Sequence, residues 1–181
     1  MKKVLVFGGS GFLGSHVCDK LLESGYSVTI FDKSESEYMN DKINFILGDI
    51  LSEEDVNKAV KNSDIVFNFA GLADIDAAQG HPIATIKYNI LGNAIILEAA
   101  RKHGVKRFVF SSSIYVYSNQ GSFYRTSKQT CERLIENYNE IYGLDYTVLR
   151  FRSLYGPRAD ETNTVYSMIS SAVSSKEINY N

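Results

Sequence analysis

Tyr124 and Lys128 stand four residues apart in a stretch with helical spacing, so both side chains fall on one helix face. A neighbouring cation stabilises phenolate and draws a tyrosine pKa toward the working pH, as a proton-transfer group requires. The same pair on an ordinary solvated helix face would carry no chemistry. What changes its weight is Ser111-Ser112-Ser113 just upstream. Three hydroxyls leaving a buried-strand pattern are poor packing material but good hydrogen-bonding partners for a substrate oxygen.

A second chemical stretch opens the chain. Val4 to Phe7 is an apolar run, glycines follow at 8, 9, 11 and 14, and a helical pattern begins. Glycine lets another group approach the backbone closely and takes φ > 0 without strain. A helix that starts on such a turn presents free N–H groups at the positive end of its dipole. That is a seat for a pyrophosphate. The spacing reads as Gly9-x-Gly11-x-x-Gly14 or as Gly8-x-x-Gly11-x-x-Gly14. The next apolar run, Ser27–Phe31, ends in Asp32. A carboxylate there can accept both hydroxyls of an adenosine ribose and repel a 2′-phosphate. The cofactor expected is therefore NAD rather than NADP, with Lys33 beside Asp32 softening the preference. The competing reading is a surface turn with a solvated aspartate.

Positioning these groups needs an alternation of strands and helices, and the sequence supplies one. Phe12–Ser24 reads as a helix stopped by Gly25, and residues 43–47 as a strand ending in Gly48-Asp49-Ile50. Ser52, followed by Glu53, Glu54 and Asp55, opens a helix to about Asn62. Residues 64–70 form a strand, 82–103 a helix, 107–112 a strand, 122–142 a helix, 145–150 a strand and 162–175 a helix. The fold class expected is α/β: a Rossmann-type, doubly wound, mostly parallel sheet with helices on both faces, in one domain over 1–181. Ligands bind such sheets at the carboxyl ends of the strands, where the glycine loop, Asp32, Asp49, Ala70-Gly71 and Ser111–Ser113 all lie.

Composition narrows the partners. At 181 residues, 44% hydrophobic and 22% charged, the chain is an ordinary globular one. A net charge of −2 offers no footprint for nucleic acid or an anionic membrane, and no apolar run is long enough for a membrane span. No metal is expected: His16, His81 and His103 share no ligand spacing, and Cys18 and Cys131 read as buried thiols of a reducing cytoplasm. Arg150, Arg152 and Arg158 could grip a diphosphate; equally, Arg150 pairs internally and Arg158 is solvated. The apolar faces of helices 82–103 and 122–142 are mainly core, with a surplus that suits a homodimer contact.

With these residues on the page, the chain resembles the extended short-chain dehydrogenases/reductases, the NAD-dependent epimerase/dehydratase group, over essentially its whole length. Gly8, Gly11 and Gly14 match that family's Gly-x-x-Gly-x-x-Gly, with Phe12 and Leu13 inside it. Gly48-Asp49-Ile50 matches its Gly-Asp-(Ile/Leu), and Phe69-Ala70-Gly71-Leu72 its segment lining the cofactor. Asn89 falls at its helix asparagine, and Arg150-Phe151-Arg152-Ser153-Leu154-Tyr155-Gly156-Pro157 is similar to its Arg-x-x-Asn-x-Tyr-Gly-Pro. The resemblance implies Tyr124 as acid/base on a sugar hydroxyl, Ser113 on the same oxygen, Lys128 on the nicotinamide ribose, and Asn89 with the catalytic group. It further implies cofactor contacts from the glycine loop, Asp32, Lys33, Asp49, Ile50, Phe69–Leu72, Ser111, Tyr124, Lys128 and Phe151. The function implied is an NAD-dependent nucleotide-sugar epimerase, or the cofactor-binding portion of one, acting by hydride abstraction and return.

Three departures from the family pattern stand out. The segment between Ser113 and Tyr124 is short, Ser153 replaces the usual asparagine, and the chain stops at Ile178-Asn-Tyr-Asn181, where family members continue into a substrate lobe. The chain therefore reads as a truncation lacking that lobe. Ile114 and Tyr115 after Ser113 cannot supply the acid pair of a sugar dehydratase. A dehydrogenase or reductase of the same family, or an NAD-sensing module without turnover, remain as alternatives.

Overall fold

Val4, Leu5, Val6 and Phe7 are each at most 1% exposed, and they alternate between two separate cores. That alternation is the two-residue period of a strand buried on both faces. The strand, β1 (Lys3–Phe7), lies at the centre of a six-stranded sheet. It pairs in parallel with β2 (Ser27–Asp32) and with β4 (Ile65–Asn68). Outside them lie β3 (Asn44–Leu47), β5 (Arg107–Ser113) and β6 (Tyr146–Phe151), giving the all-parallel order β3-β2-β1-β4-β5-β6. The chain works outward to β3 and then returns to β4, so strand order reverses between β1 and β4. A crevice opens there at the carboxyl ends, as in other doubly wound sheets.

The structure is a computed structural model that describes residues 1–176; Ile178–Asn181, where the sequence departs from the family pattern, lie outside them. One core packs Leu5, Phe7, Val66, Phe108 and Phe110 against α2 (Glu53–Val60), α5 (Gly92–Lys102) and α6 (Ser122–Tyr142). The other packs Val4, Val6, Val28 and Ile30 against Cys18 and Leu21 of α1 (Phe12–Glu23). Each such buried side chain contributes about 1.5–3 kcal/mol, so a one-residue slip of β1, which would exchange its two faces, is strongly disfavoured. The chain divides into two compact units, Met1–Phe151 and Arg152–Asn181. In the described part of the second, α7 (Thr164–Ser175) is capped by Asn163, whose Oδ1 accepts from the Tyr166 N–H at 3.1 Å. Ser153 is exposed there, and Arg158 is half-buried rather than solvated.

Two elements depart from the sequence reading. Residues 75–80 form a short helix, α3 (Ile75–Gly80), whose signal was Asp74: its carboxylate accepts from the Ala77 N–H at 2.6 Å. The helix expected over 82–103 is not uniform. It runs as α4 (Pro82–Thr85), a π-helical turn (Ile86–Leu91) and α5. A π turn takes a backbone carbonyl out of the ordinary helical ladder, and the Asn89 carbonyl is reached instead by the Cys131 thiol at 3.0 Å. Both cysteines are free and buried, and burial pushes each thiol up to about 12. Ile83 and Ile86, read as core, are 65% and 46% exposed. Among the described residues no helix is long and apolar enough to cross a membrane, and no cluster of His, Cys, Asp and Glu could hold a metal.

Candidate cofactor and catalytic site

The glycines of the first loop do different work. Gly8 follows β1 with φ +74°, and a Cβ there would come 2.6 Å from the Ala70 nitrogen. A Cβ on Gly14 would overlap the Gly8 carbonyl, so only glycine lets α1 close onto the loop. At Gly9 it would press into the Ile30 side chain, which ties that residue to the sheet face. A Cβ on Gly11, with φ −75°, would meet nothing closer than the Gly8 carbonyl at 3.5 Å. The packing thus favours the Gly8, Gly11, Gly14 spacing, with Gly11 kept bare for whatever approaches it.

The start of α1 suits an anion. α2, α3 and α7 are each capped by a side chain, from Ser52, Asp74 and Asn163. α1 has no side-chain cap and no acid in its first turn. Its leading N–H groups, on Phe12, Leu13 and Gly14, therefore face outward at the positive end of the helix dipole. The Ser10 hydroxyl is left without a partner at the same turn. Asp32, at the end of β2, accepts from the Ser10 N–H at 3.0 Å and from the Lys33 N–H at 2.7 Å, which fixes its carboxylate at the mouth of the loop. These features fit a dinucleotide: an open pyrophosphate seat beside a carboxylate for the ribose.

A groove of about 350 Å³ runs over this turn. Of the residues expected to hold cofactor, Gly8, Gly11, Asp32, Lys33, Ile50 and Phe69–Leu72 wall it. Phe12, Leu13, Gly14, Asp49, Ser111, Tyr124, Lys128 and Phe151 do not. Asp49 instead accepts from the Leu51 N–H at 2.9 Å and pairs with the wall residue Lys33 at 3.2 Å. Tyr88 lines the groove and went unread in the sequence, because nothing in its neighbourhood marks the π turn that carries it. Next to it, Asn89 is 4% exposed. Its Oδ1 accepts from the Leu72 N–H at 2.7 Å, and its Nδ2 donates to the Leu72 carbonyl and to Ser127 Oγ, both at 3.0 Å. The amide thus clamps the groove wall to α6, where the sequence reading put it with the catalytic group.

The Ser113 hydroxyl, on the last residue of β5, and the Tyr124 phenol, in the first turn of α6, face the same site, and the hydroxyl favours the phenolate. Burial holds the Tyr124 pKa above the ordinary phenol value, and the Ser113 hydroxyl offsets this only in part. Lys128 contributes none of the lowering that the sequence suggests. The Lys128 ammonium donates to the Ser111 carbonyl at 2.8 Å and lies 5.6 Å from the Tyr124 ring centre. Behind the three serines lies a group that the sequence left unread: Glu132, only 8% exposed. It accepts from Ser112 Oγ at 2.5 Å and from Arg150 at 3.0 and 2.8 Å. Burial pushes its carboxyl up, but Arg150 and Ser112 outweigh that and hold it below the usual range. Arg150 also donates to the Tyr117 hydroxyl and lies over that ring. Of its two readings, the internal pair is the one observed.

Lys128 is fully buried, and burial pulls its pKa from 10.5 down to about 8. Below about pH 8 the ammonium is charged in both folded and unfolded chains, and the folded form carries the burial penalty. Between about 8 and 10.5 the folded lysine sheds its proton while the unfolded one keeps it, so stability rises with pH. The stability of Lys128→Met relative to the parent is therefore expected to fall by about 3 kcal/mol between pH 7 and pH 11. Urea unfolding across that range measures it, and a difference independent of pH would refute the assignment.

The sequence pattern of the NAD dependent epimerase/dehydratase family matches residues 4–180. A putative UDP-glucose 4-epimerase of Methanocaldococcus jannaschii is 34% identical over 176 residues, covering 87% of this chain and 57% of that protein. A UDP-N-acetyl-alpha-D-glucosaminuronate decarboxylase of Bacillus cytotoxicus is 31% identical, covering 88% and 57%. Among solved structures, the Thermus thermophilus UDP-glucose 4-epimerase in complex with NAD superposes with a TM-score of 0.88 at 29% identity, covering 96% of this chain and 63% of that one. The chain spans about 57% of the length of these two curated relatives.

Proposed function

Because this chain belongs to the NAD dependent epimerase/dehydratase family, we propose that it uses NAD to epimerise a nucleotide sugar, with Tyr124 as acid/base. The gathering of Ser113, Tyr124 and Lys128 at the carboxyl end of β5, with the Lys128 ammonium 5.6 Å from the Tyr124 ring centre and bonded to the Ser111 carbonyl, carries this reading. Family membership supports NAD as the cofactor, and the glycine loop, the uncapped start of α1 and Asp32 are the residues that would hold it. Bound NAD supplies the hydride acceptor and later the donor. The protein supplies proton transfer and position. Ser113 holds the reacting sugar oxygen by its hydroxyl, and the Tyr124 phenolate takes the hydroxyl proton and later returns it. The Lys128 ammonium keeps positive charge close behind the phenol, and Asn89 fixes the groove wall at Leu72. The nucleotide-sugar class is supported by the UDP-sugar names of the relatives, among which a decarboxylase stands beside the epimerases. The test is NMR of UDP-glucose and related UDP-sugars incubated with the protein and catalytic NAD. Formation of the C4 epimer without net NADH is expected; stoichiometric NADH without epimer would assign a dehydrogenase instead.

The protein is further proposed to pair as a homodimer through the faces of residues 82–103 and 122–142. Ile83, Leu91, Ile141 and Tyr142 are 50–68% exposed on these helices, an apolar surplus that a two-fold contact would cover. Sedimentation at micromolar concentration is expected to give a dimer; a lone monomer would count against it.

A further inference from the structure

Lys33 follows Asp32 directly, yet its side chain is committed elsewhere. Its Nζ lies 3.2 Å from Asp49 Oδ2 and 3.9 Å over the centre of the Tyr88 ring. Asp49 is itself held, through Oδ1, by the Leu51 N–H at 2.9 Å, so its second oxygen is fixed for the lysine. Among the described residues that wall the groove, Lys33 is the one cation. It is therefore the group that could neutralise a 2′-phosphate on a ribose seated at Asp32, and it is tied down. We propose that Asp49 and Tyr88 form a latch that withdraws Lys33 from the ribose seat, so that the groove's preference for NAD over NADP is set by the latch as well as by Asp32. The proposal rests on the reading of the groove as a dinucleotide seat.

The latch is light enough to open. The Lys33 and Asp49 side chains are 52% and 42% exposed, so their pair is screened by water. The ring contact adds a modest attraction of its own. Removing either partner leaves a four-carbon stem anchored beside Asp32, with an ammonium free to swing toward added negative charge. Asp32→Ala alone leaves Lys33 latched and removes only the repulsion; opening the latch adds an attraction.

The experiment titrates NADH and NADPH, by cofactor fluorescence, into the parent chain, Tyr88→Leu, Asp49→Asn, Lys33→Gln, and Lys33→Gln combined with each of the other two. In Tyr88→Leu and in Asp49→Asn the ratio of the NADPH to the NADH dissociation constant is expected to fall about fivefold, the scale of one exposed charge contact. In the Lys33→Gln background neither substitution should move the ratio. An unchanged ratio in both single variants would overturn the latch, as would an equal fall without the lysine. Tyr88 packs partly against the core, so the exposed Asp49 carries the test if Tyr88→Leu does not fold. A parent chain that binds neither cofactor would overturn the dinucleotide reading itself. A parent that prefers NADH, with variants that match it, would overturn the latch alone.

Discussion

Replacing Tyr124 by phenylalanine is expected to lower turnover about a thousandfold while leaving NADH binding close to that of the parent, the range in which a positioned acid/base contributes. The ring would stay packed at the start of α6 against Tyr115, whose ring centre lies 6.5 Å away, so the loss is confined to the hydroxyl. Ser113→Ala removes a neighbouring hydroxyl but leaves the phenol in place, and should cost less. Because burial raises the Tyr124 pKa, the proton-accepting form becomes scarcer as pH falls, and turnover should rise with pH through the neutral range. Turnover of the phenylalanine variant within tenfold of the parent would remove Tyr124 from the mechanism, whatever its spacing from Lys128.

The second large effect separates two glycines of one loop. Gly14→Ala should cost about 3 kcal/mol of stability, because its methyl would overlap the Gly8 carbonyl and press on the Gly9 Cα at 2.8 Å, and backbone cannot step aside as a flexible side chain can. Gly11→Ala should leave the urea midpoint nearly where it was, since φ is −75° and the new methyl makes only ordinary contacts. It should nonetheless weaken NADH binding more than about tenfold by standing in the pyrophosphate seat, where the backbone N–H groups must reach the ligand. Parental affinity in Gly11→Ala would place the pyrophosphate elsewhere. Undiminished stability in Gly14→Ala would mean that the loop relaxes around the methyl.

Much of this was readable before any coordinates. Apolar runs such as Val4–Phe7 and Phe108–Phe110, short and bounded by glycines and charges, read as buried strands, and their alternation with helical patterns leaves few topologies. The glycine loop and Asp32 were legible because each depends on neighbours in sequence, whereas Ser113 was singled out among three serines by the family resemblance. What escaped depends on neighbours in space. Glu132 looks like any solvated helix acid until α6 sets it behind Ser112 and β6 brings Arg150 to it. Tyr88 became a groove wall only through a π turn with no composition of its own, and the destination of Lys33 was set by Asp49 on a different strand end. The Tyr124 pKa failed for a third reason: spacing reports a charge four residues away, but desolvation is a property of the whole surrounding fold.

The central place of β1 bears on how the protein is made. Its second partner strand arrives late: Lys3 at the start of β1 bonds to Asp64, 61 residues on, just ahead of β4. During synthesis β1 can therefore pair with β2 while its other edge, lined by some of the most apolar residues in the chain, stays open until the ribosome has delivered β4. Such waiting edges are where nascent parallel sheets aggregate. The glycine loop waits with it, since Gly8 is braced by Ala70 beyond β4, so no cofactor can rescue the emerging chain before roughly its first 70 residues are out. Expression yield should accordingly respond to chaperones and to slow translation across the segment between β3 and β4, and be indifferent to NAD supply until that point has passed.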